Sequence, residues 1–478
     1  MKKTFYKTTI RTKKASFLPL IAIACMAGIA LASCDDFLTE LPTDAVADEE
    51  AFSSAKDFTN NLNGVYNSFG HYQFYGRNVV CLGDAASDLV YHDNKSGNFQ
   101  VLSMWQVEST NAELRDIWEY GYKVINNSTK IIKAGEKVDF PESEMATVHG
   151  CMAQAYGLKA LAAFTLTNLF ALPHTEANKN TPGIVNVTEP VEAFQQISRA
   201  TVADNYDLIL SDIAKAKDYF AREDMDIPGY AYINPAALDA LEARVRLYMH
   251  DYAGAIQAAR TAIDARGSSL VTTAEAYSAM YTSNIVSPED IFVVVKSATD
   301  NPGSNSLGTM YPFYGLHVSE EVLTEYAETD IRNGLLNNGD GAKYVGTNEG
   351  ADAHNIPVLR LPELYLTLAE AYAAQGNYAA AKESLLVVLA ARDPGFDPAT
   401  VAENASIIAD IRQARKLELL QEGHRLFDVR RWGEKIDVVR GRYKNFDPSL
   451  FAFPIPQTEV NAGFGVVQTE GWEQTLPR

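Results

Sequence analysis

The chain has 478 residues, a net charge of −20 at pH 7, 47% hydrophobic residues and 10% aromatic residues. A chain this acidic repels phosphate backbones and anionic headgroups, which argues against nucleic-acid binding and against charge-driven adhesion to a lipid surface. Its hydrophobic content is typical of a protein with a large buried core and excludes a disordered chain.

The first element in chain order has the organisation of a lipoprotein signal peptide. Six basic residues precede an uncharged run, Phe17–Leu31, which is too short to span a bilayer core but fits a signal-peptide hydrophobic region. The run ends in Leu31-Ala32-Ser33-Cys34, a pattern that bacterial lipoprotein signal peptidase cuts ahead of a lipid-modified cysteine. We predict that residues 1–33 are removed and that Cys34 is the lipid anchor.

Cleavage takes six basic and no acidic residues away, so the net charge moves from −20 to −26.

The alternative to lipoprotein processing is ordinary secretory cleavage beside a chance cysteine. Asp35-Asp36 resembles an export signal that sends some lipoproteins to the outer face of the outer membrane, and residues 34–48 are predicted to be a tether. The predicted location is therefore the cell outer membrane, with the chain lipid-anchored and facing outward.

The body that follows is predicted to be mostly α-helical. Apolar residues recur at steps of three and four over several stretches, which indicates buried helical faces. The predicted helices cover residues 55–69, 111–133, 148–169, 200–220, 234–266 with a break at 250–251, 361–392 and 407–430. Residues 71–104 and 271–350 are predicted to be irregular, apart from a short β-branched run at Ile291–Lys296. Loops of this length inside a domain are usually functional.

Two stretches of the helical body have the spacing of a tetratricopeptide repeat. Within 361–394, small and aromatic residues fall at the repeat positions, with Gly376 allowing the turn between two antiparallel helices. A weaker copy covers about 235–266. The alternative is two unrelated helical hairpins. The predicted fold class is mostly α, a tetratricopeptide-like helical repeat scaffold with long irregular loops and few short strands.

Cysteine and histidine spacing indicates no metal or cofactor. Cys81 and Cys151 remain in the mature chain, and a bridge between them is possible in an oxidising compartment but not required. No CxxC pair or HExxH occurs. Asp340 lies in a Gly/Asn-rich run, but the twelve-residue calcium-loop pattern is absent. No nucleophile elbow or marked carboxylate pair points to an enzyme.

The C-terminal part carries a family resemblance. Ile411–Leu419, followed by Glu422–Gly433, resembles the hallmark helix of the SusD/RagB family. Further similar segments cover nearly the whole mature chain: Cys34–Leu38, Gly83-Asp84, Ser87-Asp88, Thr329–Arg332, Arg360–Glu363 and Phe453–Pro456. Ala414 departs from the family pattern, which usually has Glu there, and the ending after Glu459 lacks the usual pairs. The resemblance implies a SusD-like N-terminal region at 49–230 and a C-terminal region at 231–478.

The resemblance also implies a function. Similar proteins are non-enzymatic lipoproteins that bind oligosaccharides and sit as a lid on a SusC-like TonB-dependent transporter, a plugged outer-membrane barrel. Two alternatives keep the architecture: oligopeptide cargo, as in the RagB branch, or a scaffold subunit that binds the transporter alone. Membrane contact is then made by the N-terminal lipid.

The predicted ligand contacts lie on the two irregular regions, where the resemblance places the family's binding loops. Sugar rings present apolar faces ringed by hydroxyls, so aromatic side chains cover the faces while polar side chains bind the hydroxyls. For any single aromatic residue, core packing is the alternative. The leading candidates are Trp105 and Tyr311. The others are Tyr75, Asp88, Tyr91, His92, Asn94, Lys296, Phe313 and Tyr314.

Alternating charges mark the segment that resembles the hallmark helix. Arg415, Glu418, Glu422 and Arg425 are three or four residues apart, with Asp428 continuing the series. A functional interpretation makes these side chains ligands for a carboxylate or a sugar. We favour a structural ion-pair network, because alternating charge on a helix face is normally satisfied within the protein.

Overall fold

The computed structural model of the chain describes residues 51–222, 225–336, 342–344 and 353–478. Ser54–Arg478 forms one compact unit. The predicted signal peptide, the Cys34 anchor, the tether at 34–48 and Asp340 lie outside the described residues. The boundary between regions at residue 230 stays a prediction.

Helices dominate the described part of the chain, which confirms the predicted fold class. In chain order they are α1 Ala55–Phe69, α2 Asn78–Ala85, α3 Gln100–Ser103, α4 Ala112–Gly135, α5 Glu142–Phe170, α6 Val202–Phe220, α7 Pro235–Tyr248, α8 Tyr252–Arg266, α9 Ala274–Thr282, α10 Leu307–Phe313, α11 Glu320–Leu323, α12 Asn333–Leu336, α13 Leu361–Ala374, α14 Tyr378–Arg392, α15 Ile407–Glu418, α16 Arg425–Trp432 and α17 Gln457–Ala462.

Polar residues cap several of these helices, which explains where they begin. The Asn111 side chain accepts from the backbone N–H of Leu114 at the start of α4. At the start of α6, Thr201 and Asp204 form a reciprocal capping box. Such caps satisfy backbone donors that have no partner inside the helix. At these helices the polar residue before the apolar stretch therefore fixes the start.

The two predicted repeats are helical hairpins, α7–α8 and α13–α14. Their turns are equivalent: His250 has φ 61° in the first, and Gly376 has φ 76° in the second. Asp251 and Asn377 then cap the second helix of each pair through their side chains. Helix α13 packs against α8, so the two hairpins stack. The repeat scaffold is confirmed.

The strands form three small antiparallel pairs. They are β1 Val90–His92, β2 Asp290–Val294, β3 Leu316–Val318, β4 Ile356–Arg360, β5 Ile436–Val438 and β6 Tyr443–Phe446. Strand β1 pairs with β3, β2 with β4, and β5 with β6. The predicted run Ile291–Lys296 corresponds to β2, which is buried along its whole length.

Short helices occur where irregular structure was predicted, which corrects the sequence interpretation. Residues 71–104 contain α2 and α3, and residues 271–350 contain α9 and α10. Every residue of α2 is buried. A helix that is buried on all sides has no polar face, so its apolar residues show no helical period.

The segment predicted as one helix at 407–430 is two helices, α15 and α16, joined by a bend. Gln421 has φ 60° and Gly423 has φ 78° in this bend. A Cβ atom on Gly423 would lie 2.8 Å from the Val80 Cα atom, and one on Gly83 would lie 2.1 Å from the Gly423 carbonyl oxygen. The bend thus packs its backbone directly against α2, which a continuous helix with side chains cannot do.

Eight charged side chains are buried together beneath this bend. They are Arg332, Lys343, Arg360, Arg392, Glu289, Asp330, Glu418 and Glu422. Arg360 donates to Glu418 at 2.5 Å and to Glu422 at 2.6 Å. Arg392 bridges Glu418 at 2.9 Å and Glu289 at 2.7 Å. Four cations thus neutralise four acids, and we call this set the buried ion network.

The structure confirms that the charged motif is an ion-pair network, but the partners differ from those expected. Burial alone raises the pKa of Glu418, yet the guanidinium groups of Arg392 and Arg360 hold that pKa well below its usual value. The bend separates Glu418 from Glu422 and Arg425, so these residues do not share one helix face. They pair instead with residues of distant segments. Arg415 pairs with Asp428 at 2.9 Å, on the neighbouring helix.

Cys81 and Cys151 are free and buried, so the bridge that the sequence left open is not formed. Within the described part of the chain, none of the helices combines the length and the apolar character that crossing a membrane requires.

Arg360→Met is expected to lower the free energy of unfolding by about 3–5 kcal/mol, because it leaves two buried carboxylates without their main partner. Urea denaturation measures the change. Lys179→Met is the control, since its pair with Glu176 is exposed, with side chains 40% and 89% accessible, and solvent-exposed pairs contribute little to stability. Equal stability of the two variants would contradict the structural role of Arg360.

Candidate ligand-binding surface

The two irregular regions of the sequence meet in the structure. We call residues 71–104 the early loop segment and residues 295–318 the late loop segment. Strand β1 of the early segment pairs with β3 of the late segment. Elsewhere along the same contact, Arg77 Nη1 donates to Asn305 Oδ1 at 2.7 Å. The fold thus brings together the two regions that the sequence singled out.

Three of the predicted contacts, Tyr91, His92 and Asn94, lie together at the end of this strand pair. Tyr91 lies opposite His317, with ring centroids 5.5 Å apart. Arg440 lies on the turn between β5 and β6. Its guanidinium group is 3.5 Å from the centroid of the Tyr91 ring. A cation over an aromatic face is an attractive arrangement, so Arg440 and Tyr91 form one unit at the surface.

His92 fixes the turn that follows β1. Its Nδ1 accepts from the Asn94 backbone N–H at 2.9 Å, and its Nε2 lies 3.0 Å from the Asn98 carbonyl oxygen. Since Nδ1 accepts, the proton is on Nε2 and the ring is neutral. Burial lowers the pKa of His92, in agreement with this state. Asn94, at φ 65°, is held at the exposed tip of the turn.

Asp93 adds a fixed negative charge beneath the same turn. Hydrogen bonding from Lys95 holds the pKa of Asp93 well below its usual range, and His317 also contributes, at 3.0 Å from Oδ2. Lys95 itself is 78% exposed at its side chain. The ammonium group therefore sits at the rim, where it can also meet a ligand.

Phe313 and Tyr314 complete the surface from the late loop segment. Phe313 is 66% exposed, and the Tyr314 carbonyl oxygen accepts from Ser96 Oγ at 2.6 Å. Gly315 has φ 93°, and a Cβ atom there would lie 2.8 Å from Asp93 Oδ1. The glycine therefore lets the two loop segments come close. We call Tyr91, Asn94, Lys95, Phe313 and Arg440 the loop cluster.

A second aromatic group flanks the start of the early loop segment. The rings of His71 and Tyr120 stack with centroids 4.4 Å apart, and Tyr72 lies beside His71 at 4.5 Å. Lys123 lies over the Tyr120 ring at 5.1 Å, and Arg77 over Tyr72 at 4.8 Å. All three residues are half-buried.

The two leading candidates from the sequence lie in the core. Trp105 is 3% exposed, and its ring lies 4.5 Å from that of Phe446 and 5.2 Å from that of Phe451. Tyr311 is fully buried, and its hydroxyl donates to Asp84 at 2.6 Å. Both side chains therefore have the role that was the alternative to ligand contact, which is core packing. The proposed function does not depend on them.

Tyr75 and Asp88 are likewise engaged within the protein. The Tyr75 hydroxyl lies 2.9 Å from the hydroxyl of Thr165 in the core. Burial tends to raise the pKa of Asp88, but two hydrogen bonds from Arg425, at 2.7 and 2.8 Å, lower it overall. Lys296 is also buried, at 8% exposure, and it lines a cavity that includes Asn63 and Asn67.

Several surface residues were not predicted from the sequence. Arg440 lies more than a hundred positions beyond the late loop segment. The sequence signal available for it was Gly441, which indicates a turn at this position. Lys95 directly follows Asn94, and His317 lies three positions after Tyr314 and opposite Tyr91, so extending the predicted stretches by a few residues would have found both. In the described residues, no group of three or more His, Cys, Asp or Glu side chains is arranged to hold a metal ion.

The Asp84–Tyr311 contact gives a pH prediction. Burial raises the pKa of Asp84 from 3.8 to about 7, although the Tyr311 hydrogen bond opposes the shift. The folded protein therefore holds a proton that the unfolded chain has released, so this group's contribution to stability is lost as the pH rises from about 4 to about 7.

Asp84→Asn keeps an acceptor for Tyr311 but cannot ionise. Its stability relative to wild type is expected to rise across that window, by at most about 1.4 kcal/mol per pH unit. Urea denaturation at pH 4 to 8 measures this difference. The exposed Asp264→Asn is the control and should show no such trend; a flat profile for Asp84→Asn would refute the prediction.

Solved structures of similar fold come from Bacteroides. A proposed sugar binding protein from Bacteroides vulgatus has 25% identity, covers 88% of this chain and 99% of its own, and superposes with a TM-score of 0.80. A SusD superfamily protein from Bacteroides thetaiotaomicron has 23% identity, 87% and 99% coverage and a TM-score of 0.74. A SusD-like carbohydrate binding protein from Bacteroides vulgatus has 17% identity, 80% and 85% coverage and a TM-score of 0.70.

Two family models match the sequence. Residues 36–247 match the model described as "Starch-binding associating with outer membrane", and residues 308–472 match the model described as "SusD family". No curated protein matches the chain. The two family matches together span well over half of the sequence, and the similar structures cover most of it. The chain belongs to the SusD/RagB family.

Proposed function

We propose that this chain is a cell-surface lipoprotein that binds oligosaccharides and delivers them to a SusC-like TonB-dependent transporter, without catalysing a reaction. The observation that carries the proposal is the loop cluster, where the β1–β3 pair, the Ser96–Tyr314 hydrogen bond and the Arg440–Tyr91 contact bring aromatic and polar residues of distant segments together. The descriptions of two relatives in fold and of one matching family model name sugar, carbohydrate or starch binding, which supports the same cargo.

The chemistry of the loop cluster suits a sugar ring. The apolar ring of Phe313 is exposed to water, and covering it with another apolar surface is favourable. A sugar presents an apolar C–H face that can cover such a ring. Asn94, Lys95 and Arg440 supply donors and an acceptor for the surrounding hydroxyls. Both kinds of contact are needed, because hydroxyl groups lose water as the ring face is covered.

The loop cluster is held rigidly and lies at the surface, and both properties suit a protein that binds cargo and then releases it. The His92 hydrogen bonds and the β1–β3 pairing hold the cluster in place before cargo arrives, which lowers the entropy lost on binding. The cluster lies on an open surface, so cargo keeps part of its hydration and binds with modest affinity. A protein that hands its cargo to a transporter requires such reversible binding.

Phe313→Ala and Tyr91→Ala are each expected to weaken binding of the preferred oligosaccharide about tenfold, which corresponds to about 1.4 kcal/mol. Isothermal titration calorimetry with a panel of polysaccharides and oligopeptides measures this. The control is Phe194→Ala, which removes a ring that is 79% exposed outside both loop segments and should leave binding unchanged.

The same panel decides between cargo classes. If the protein binds oligopeptides and no glycan, its cargo is peptide and the glycan assignment is wrong. If no cargo binds while the transporter still co-purifies with the chain, the protein is a scaffold subunit. If glycans bind equally well to wild type and to both loop-cluster variants, the binding site lies elsewhere.

Cys34→Ala is expected to abolish labelling by radioactive palmitate and to release the chain from the outer-membrane fraction, because a lipid at this position is the proposed anchor. Fractionation of cells that express each variant measures both effects. Cys151→Ala is the matched control, since Cys151 is a buried thiol of the folded body. Retention of label or of membrane association by Cys34→Ala would rule out this anchor.

A further inference from the structure

A cavity of about 340 Å³ lies beside the first turns of the early loop segment. Its walls include Asn63 and Asn67 on α1, Tyr232, and the chain from Val295 to Lys296 after β2. This volume lies within the range of about 300–1,000 Å³ that is usual for small-molecule sites. The cavity is separate from the loop cluster in residue content, and its chemistry is different.

The feature that sets the cavity apart is Lys296. The residue is 8% exposed, and its nearest acidic partner among the described residues is Asp300, whose Oδ2 lies 3.7 Å from Nζ, beyond hydrogen-bond distance. The Asp300 side chain is 66% exposed, so solvent weakens the pair. Burial lowers the pKa of Lys296, as expected for an ammonium group that has lost water without gaining a full partner.

The backbone of Lys296 is held by the side chains of two asparagines. The Lys296 N–H donates to Asn355 Oδ1 at 3.0 Å, and its carbonyl oxygen accepts from Asn284 Nδ2 at 2.7 Å. Gly70 faces it across the cavity: a Cβ atom there would lie 2.9 Å from Val294 Cγ1 and 3.8 Å from Lys296 Nζ. The glycine keeps open the space next to the ammonium group.

The ammonium group has three donors and one distant acidic partner, so it is able to bind an anion. We propose that the Lys296 cavity binds the carboxylate of an acidic sugar, so that the cargo of this protein contains uronic acid or a similar residue. This inference rests on the proposed function, because it names the class of glycan. The carboxylate pairs with Lys296 and displaces the exposed Asp300 side chain towards solvent.

The cavity walls suit a sugar rather than a bare anion. Asn63 and Asn67 are exposed and one helical turn apart, so both amides face the cavity and can bind ring hydroxyls. Tyr232 is 44% exposed and offers a ring for the apolar face. The Tyr66 hydroxyl is already used, donating to Gln154 and accepting from Ile233 at 2.8 Å each.

The test compares uronate-containing oligosaccharides with their carboxyl-reduced, neutral counterparts by calorimetry on the purified full-length protein. Wild type is expected to bind at least one acidic oligosaccharide about tenfold more tightly than its reduced form, or about 1.4 kcal/mol. Lys296→Met should remove this preference, so that the acidic and reduced forms bind with equal affinity. Lys296→Gln, which keeps donors but no charge, should do the same. The control is Lys179→Met, at an exposed lysine that does not line the cavity, and this variant should retain the preference.

The outcomes separate this inference from the function it rests on. If wild type binds acidic and reduced forms equally, or if the preference survives in both Lys296 variants, the inference is overturned and glycan binding stands. If no saccharide binds, the proposed function fails. If a peptide with a free C-terminal carboxylate binds better than its amidated form, and Lys296→Met removes that difference, the assignment to a sugar acid is overturned. The wild-type comparison holds even if a variant does not fold.

Discussion

The architecture depends on the buried ion network, because four cations and four acids have been removed from water together. Burying one of these charges alone costs several kcal/mol, and only a full set of partners offsets that cost. The partners are Glu289 just before β2, residues of β4, α14 and α15, the stretch 330–332, Lys343, and Glu422 in the bend, so the network is complete when all of these segments are in place. Arg360 joins Glu418 and Glu422 across the bend that ends α15. The network therefore requires that distant parts of the chain fold together.

The same bend positions the loops that carry the proposed binding surface. Glu422 accepts from Lys343 at 2.7 Å and from the Tyr281 hydroxyl at 3.1 Å, while the backbone of Gly423 packs against α2. Arg425 then holds Asp88, two residues before β1. The segment that resembles the family's hallmark helix thus supports the proposed binding surface indirectly. Its charged residues hold the early loop segment against the frame, and the surface is left to residues outside the motif.

The helices with one apolar face were predictable from their period, and the repeats from their spacing, because both patterns are local. Helix α2 and the bend at Gly423 were not, since both are set by backbone packing between segments far apart in sequence. The loops of the binding surface were predicted, but not which aromatic residues stay exposed. Trp105 and Phe313 both lie in irregular sequence, yet one is 3% and the other 66% exposed. The strands around Phe446 bury the first, and Arg440 joins the surface from the same distant hairpin.

Charge acts on cargo at two ranges in this protein. The chain has a net charge of −20, which repels anions at long range, although salt screens this repulsion beyond about 8 Å under physiological conditions. A neutral glycan is unaffected and meets the loop cluster by its ring faces and hydroxyls. An acidic glycan overcomes the repulsion through close contact, where Lys296 acts in a partly desolvated cavity and its attraction is strengthened. The acidic body therefore discourages non-specific anions, while a fixed ammonium group gives a sugar acid one place to bind.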